Sequence, residues 1–271
     1  MRGDDGMKVF KEIFEYRQMI FSLVKKDLRG RYKGSVLGFM WTFLNPLLQL
    51  LVYTLVFSII MRAGIEKYYM FLFVALVPWI FFSSSLTGGA GCVMASKDMV
   101  KKIYFPREVL PISYITTSFV NMLLSFVVIF AVMIVTRFGF NFVALLYLPL
   151  IMIVEYMLAL GIALITSALT VYFRDLEYML SILAMAWQFL TPVMYSQDMV
   201  KDALMDKAPI LYDIWNLNPM TPIIIAYRDI LYYKQIPEIK TLLAATILGG
   251  AFTIIGFVLF RKLQRGFAEE M

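Results

Sequence analysis

Glu155 is the one carboxylate inside an apolar run, residues 142–170, and an ionisable group at such depth points by default to a proton relay or a paired helix contact. No Lys, Arg or His lies in that run or in any comparable run, so the acid has no cationic partner there and ion-coupled transport is disfavoured. A hydrogen-bonded helix contact is the expectation for it. Asp175 and Glu177 are the only acidic pair beside a short loop between apolar runs, where a membrane glycosyltransferase or lipid-modifying enzyme would need its acids. The 271 residues include no histidine, which excludes His-based acid or base catalysis and His-held metal or haem. The single cysteine, Cys92, can form no intramolecular disulfide or thiolate cluster, and is expected to pack inside a helix. The nucleotide-binding pattern G-x-x-x-x-G-K-[ST] does not occur. The nearest string, Lys33-Gly34-Ser35, has the wrong order, so any ATP has to be hydrolysed by another chain.

The elements around these residues are apolar. Hydrophobic residues make up 61% of the chain, against about 45–50% in soluble domains. Charged residues are 16% and the mean hydropathy is +0.76. Runs at 37–61, 69–95, 112–136, 142–170, 178–195 and 241–260 meet the requirement of roughly 20 residues per crossing. The expected fold is therefore all-α: one integral membrane domain with six transmembrane helices. An even number of crossings leaves both termini on one side. That side carries nine Lys or Arg in residues 1–36 and four in 96–111, against two in 62–68 and one at Arg137 opposite, so both termini are expected in the cytoplasm. The net charge of +6 is read as this orientation signal and not as nucleic-acid binding. The charged opening segment lacks a small-residue cleavage site and is not expected to be a removable signal peptide.

Three segments are not simple spans. Residues 8–33 are amphipathic: Phe10, Ile13, Phe14, Ile20, Phe21, Val24 and Leu28 share one helical stripe, while Lys11, Glu15, Gln18, Lys26 and Arg29 take the other face. Such a helix lies in the cytoplasmic interface, as an anchor or as a lever connected to the first span. Residues 97–105 read as a short helix capped by Ser96, with Asp98 at its positive end and Pro106 beyond it. Its apolar residues Met99, Val100, Ile103 and Phe105 suggest a docking helix for a soluble partner, or else a polar loop on lipid headgroups. Residues 209–233 hold two apolar stretches broken by Pro209, Pro219 and Pro222, too short to cross and suited to a re-entrant hairpin or a surface loop. Small residues at four-residue spacing, among them Gly34 with Gly38, Gly88 with Cys92, and Ala159 with Ala163 and Ser167, predict close helix packing. Tyr53, Phe57, Trp187, Phe189 and Tyr195 gather toward the outer halves of the spans, as belt or pore-lining residues.

The order of these parts resembles a known family. KDLRGRYKGSVLG at 26–38, followed by Trp41 and Asn45-Pro46-Leu47, is similar to the opening of the membrane subunits of type-2 ABC polysaccharide exporters. So are IYFPREVLP at 103–111, YFRDL at 172–176, TPVMY at 191–195 and Asn218-Pro219-Met220, and the resemblance covers nearly the whole chain.

The resemblance implies a permease without bond chemistry of its own. Two copies would pair with two copies of a cytoplasmic ABC ATPase, which would hold the ATP and Mg, and would move a lipid-linked polysaccharide such as O-antigen or teichoic acid. Residues 97–105 would be the coupling helix, through Asp98, Met99, Val100, Lys101, Lys102, Ile103 and Phe105, with Arg174 and Asp175 in a second contact. Segment 8–33 would be a gate helix meeting the lipid diphosphate, for which Lys25, Arg29, Arg31 and Lys33 supply cations. Spans one and five of both copies would line the channel. There the aromatics Tyr53, Phe57, Trp187, Phe189 and Tyr195 would let sugars slide without strong directional bonds. An exporter of another amphiphile and, more distantly, a membrane glycosyltransferase are the competing readings.

Overall fold

The computed structural model describes residues 11–30, 36–60, 64–205 and 207–271, and every regular element among them is helical. Five segments are long and apolar enough to cross a membrane: Gly38–Ser58, Tyr68–Ala95, Val109–Val135, Phe142–Tyr172 and Ile239–Gly266. In chain order the helices are α1 Arg17–Gly30, α2 Trp41–Thr54, α3 Tyr68–Ala95, α4 Lys97–Lys102, α5 Val109–Val135, α6 Phe142–Leu145 and α7 Leu148–Tyr172. They continue with α8 Leu176–Leu190, α9 Gln197–Leu204, α10 Pro209–Asn216, α11 Met220–Arg228, α12 Ile239–Leu263 and α13 Phe267–Glu270.

The most enclosed span is α3, hydrophobic all round and packed against α5, α7, α8 and α2. By contrast, little of α2 or α12 is buried, and α12 leans chiefly on α7. That pair meets backbone to backbone. A Cβ on Gly256 would stand 2.4 Å from the Gly161 carbonyl oxygen, and one on Gly161 would stand 2.3 Å from the Phe252 carbonyl carbon. Thr253 Oγ1 reaches across to the Met157 carbonyl at 2.7 Å, a bond that the close approach permits. The stripe of Ala159, Ala163 and Ser167 is fully buried, and a Cβ on Gly89 of α3 would meet Ala163 Cβ at 3.0 Å. Packing was the expectation for that stripe. Gly161 with Gly256 is the tighter crossing.

The segment expected as the fifth crossing, 178–195, differs from the rest. Helix α8 has 15 residues, which span about 22 Å at 1.5 Å per residue and fall short of a hydrocarbon core of roughly 30 Å. It stops at Leu190 because Thr191 precedes Pro192, and proline drives its predecessor out of helical geometry. Thr191 has φ −100° and ψ 140°. The expected run 142–170 is likewise two helices, α6 capped by the Asn141 side chain and α7 starting with Pro149 in its first turn.

Both apolar stretches of 209–233 are helical, and their burial is unequal. On α10, Ile210, Leu211 and Ile214 are exposed, whereas on α11 Ile223, Ile224 and Tyr227 are fully buried against α12, α3 and α7.

Candidate functional site

At the end of α3 the chain turns through Ser96 into α4, six residues with Asp98 in the first turn and Lys101 and Lys102 in the last, each complementing the helix dipole. Ser96 occupies the cap position without a side-chain bond. Lys97, Asp98, Lys101 and Lys102 are exposed and Met99 is half-buried. Within the expected apolar docking patch, Val100 and Phe105 are buried in the protein's own core. The outward apolar surface is Ile103 and its neighbour Tyr104, 58% and 91% exposed. The sequence reading gave no role to Tyr104.

The second expected contact lies at the same end. Phe173, Arg174 and Asp175 are exposed at the start of α8, and the Glu177 carboxylate lies against Gly91 near the end of α3. Behind them is a cluster that the sequence reading did not single out. Glu108, 2% exposed, accepts from Arg261 Nε at 3.3 Å and from Gln264 Nε2 at 3.0 Å. Arg261 also stands 3.8 Å from Glu12. Arg107 Nη1 donates to the Gln264 carbonyl, and Tyr172 donates to the Leu263 carbonyl at 2.7 Å. Phe267 packs fully buried against Phe260 and Tyr172. One cation of α12 therefore joins the segment after α4 to the helical residues before α1. The signal available in the sequence was weak: Glu108 lies in a motif quoted above, and Arg261 sits 153 residues away.

Helix α1 packs on α5, with Val24 buried and Met19, Ile20 and Leu23 against the core. Lys25 and Arg29 are exposed on its outer face. Arg31 and Lys33 lie outside the described residues, as do Phe10 and Gly34. Phe14 and Phe21, two turns apart on the amphipathic stripe, are 64% and 68% exposed, apolar side chains that the described residues leave uncovered.

Phe57 stacks on Tyr68 at 6.2 Å, and Tyr53 is half-buried on α2. Trp187 is engaged at two edges: its Nε1 donates to Asn218 Oδ1 at 3.0 Å, and its ring meets Phe82 edge-on at 5.3 Å. Tyr195 donates to the Phe189 carbonyl at 2.7 Å, while the Phe189 ring is exposed. Asn218 also donates to Thr191 Oγ1 at 2.9 Å, so the Asn-Pro-Met motif holds the break after α8.

Arg228 fixes that same break. Its guanidinium donates to the carbonyls of Val193 at 2.7 Å and Tyr195 at 2.9 Å and lies 3.6 Å from the Phe71 ring centroid. Arg228 is only 3% exposed, solvated by main-chain oxygens and an aromatic face. One position back on α11, Tyr227 donates to Glu155 Oε2 at 2.6 Å, and both residues are fully buried. The lone intramembrane acid is thus a helix contact, as its sequence context suggested.

Residues 18–232 match the family described as ABC-2 type transporter. A protein of Myxococcus xanthus named O-antigen export system permease protein RfbA is 34% identical over 265 residues, covering 98% of this chain and 100% of the relative. Two Klebsiella pneumoniae proteins of the same name are 32% and 31% identical over 251 residues, each covering 93% of this chain and 94% of the relative.

Proposed function

This chain belongs to the ABC-2 type transporter family, and on that premise we propose that it is the permease subunit of an ATP-driven exporter of polyprenyl-diphosphate-linked polysaccharide, an O-antigen or a similar envelope glycan. The near full-length likeness to permeases named for O-antigen export carries the reading. The chain sits in the bacterial cytoplasmic membrane with both termini in the cytoplasm, α8 and the turn after it serving as a sixth crossing and residues 209–233 as a re-entrant pair. It performs no bond chemistry; ATP and Mg are held by a separate ABC ATPase.

Two copies of the chain pair with two ATPase subunits. The charged rim of α4, the exposed Ile103 and Tyr104, and the neighbouring Arg174 and Asp175 present one mixed surface at one end of the bundle, the composition of a docking site for a soluble protein. Lys25 and Arg29 on α1 offer cations to the lipid diphosphate at the inner interface. Largely exposed faces of α2 and α8 are available to line a channel between two copies.

The test is co-purification with the cognate ATPase. Ile103→Asp with Tyr104→Asp changes two side chains that the fold leaves outside, so the permease should express at its normal level and lose its ATPase partner or its stimulation of hydrolysis. A wild-type chain that captures no ATPase would overturn the assignment.

A further inference from the structure

A cavity of about 510 Å³ lies between α2, α3 and α5, within the roughly 300–1,000 Å³ typical of small-molecule sites. None of the five expected channel aromatics lines it. Half of its lining is polar: Thr42 and Asn45 from α2, Ser84 from α3, and Ser118, Asn121 and Ser125 from α5. The α5 residues fall in the middle third of that helix, where hydrocarbon offers polar groups nothing.

The chemistry of the lining narrows the occupant. Ser84 and Ser125 give their hydroxyl protons to the carbonyls of Phe81 and Asn121 on their own helices, which leaves lone pairs to accept. Asn45 Oδ1 accepts from Gln49, which leaves its amide nitrogen as a donor. Ser118 is 3% exposed and its Oγ has no hydrogen-bond partner. That hydroxyl has almost no accessible surface, so it marks an unmet hydrogen-bond demand within the cavity wall. No lining residue is charged, which argues against a phosphate, a carboxylate or a metal ion. A lipid tail would leave the Ser118 hydroxyl and the Asn45 amide nitrogen without partners. Sugars both donate and accept through their hydroxyls and carry apolar C–H faces, which suit Trp41 and Phe81 on the apolar side.

We propose that this cavity is a subsite for a neutral, polyhydroxylated segment of the exported glycan, held within one protomer and distinct from the aromatic lining of the channel. The proposal rests on the export reading above. It gives a moving polymer a resting place of weak hydrogen bonds at mid-membrane, apart from the cations of α1 that suit its diphosphate end.

The experiment uses the assembled permease–ATPase complex in proteoliposomes, with Cys92→Ala removing the native thiol and Ser84→Cys placing one in the cavity wall. A water-soluble methanethiosulfonate reagent should modify Cys at position 84. Undecaprenyl-diphosphate-linked O-antigen glycan from export-blocked cells should slow that modification roughly fivefold or more, and undecaprenyl diphosphate without sugars should not. Equal protection by the bare carrier would make the cavity a lipid site and overturn the proposal, as would no protection by either. Absence of labelling, repeated with Ser125→Cys, would show a space closed to polar ligands and overturn it too. Glycan export measured in the same vesicles separates the two readings. Export without protection sinks the subsite alone, whereas no export sinks the proposed function and the subsite with it.

Discussion

Glu155 shows how a single side chain's meaning depends on what stands opposite it. In the sequence it is an acid at membrane depth; in the fold it accepts a 2.6 Å bond from Tyr227 on α11, 72 residues away. Glu155→Gln keeps an acceptor in place and should leave export within about twofold, because a structural hydrogen bond needs no titrating proton. Glu155→Ala leaves the buried Tyr227 hydroxyl unpaired and should lower stability by about 1–3 kcal/mol, read by thermal unfolding in detergent. A Gln variant that unfolds normally yet exports nothing would restore a proton role. The context of Glu155 in sequence disclosed that it had no charged partner, but not that a tyrosine would supply the bond. Arg228 was the opposite case: nothing local distinguishes an arginine that wraps two carbonyls and a phenyl ring from one that faces solvent.

Helices meet here in two ways that separate steric from electrostatic coupling. The α7–α12 crossing depends on Gly161 and Gly256 having no Cβ. Gly256→Ala places a methyl 2.4 Å from the Gly161 carbonyl oxygen, and such overpacking should cost about 1–3 kcal/mol, seen as a lower unfolding temperature of the purified permease. The second way is the Arg261 cluster, which ties the residues before α1 and the segment after α4 to the end of α12. If ATP-driven motion reaches α1 through this cation, Glu12→Gln should leave complex assembly and basal ATP hydrolysis intact while reducing export several-fold. Unchanged export would remove Glu12 from the coupling route. The partly exposed Glu12–Arg261 pair is worth little as a stability term, so the effect belongs to motion and not to folding. Periodicity disclosed the amphipathic face of α1, and it could not disclose that α1 would rest on α5.

For the whole molecule, the exposed faces are as informative as the core. The described residues leave Phe14, Phe21, Ile103, Tyr104 and the outer side of α8 uncovered, while they bury α3 completely at several consecutive positions. Lipid, a second copy and an ATPase are the three coverings the proposed function supplies. Native mass spectrometry of the solubilised complex should therefore give two permeases with two ATPases, and a one-to-one particle would contradict the paired-channel arrangement. The sequence by itself determined the class of molecule: 61% hydrophobic residues and runs of crossing length leave a membrane bundle as the only economical burial. Through its motifs it also disclosed the family, because motifs are properties of contiguous residues. Only the tertiary structure decided that Val100 and Phe105 turn inward, that α8 ends before Pro192, that Arg261 bridges two distant acids, and that a polar cavity opens between α2, α3 and α5. Those outcomes depend on which faces of separate helices meet, and hydrophobic patterning fixes the width of a face without naming the neighbour that will cover it.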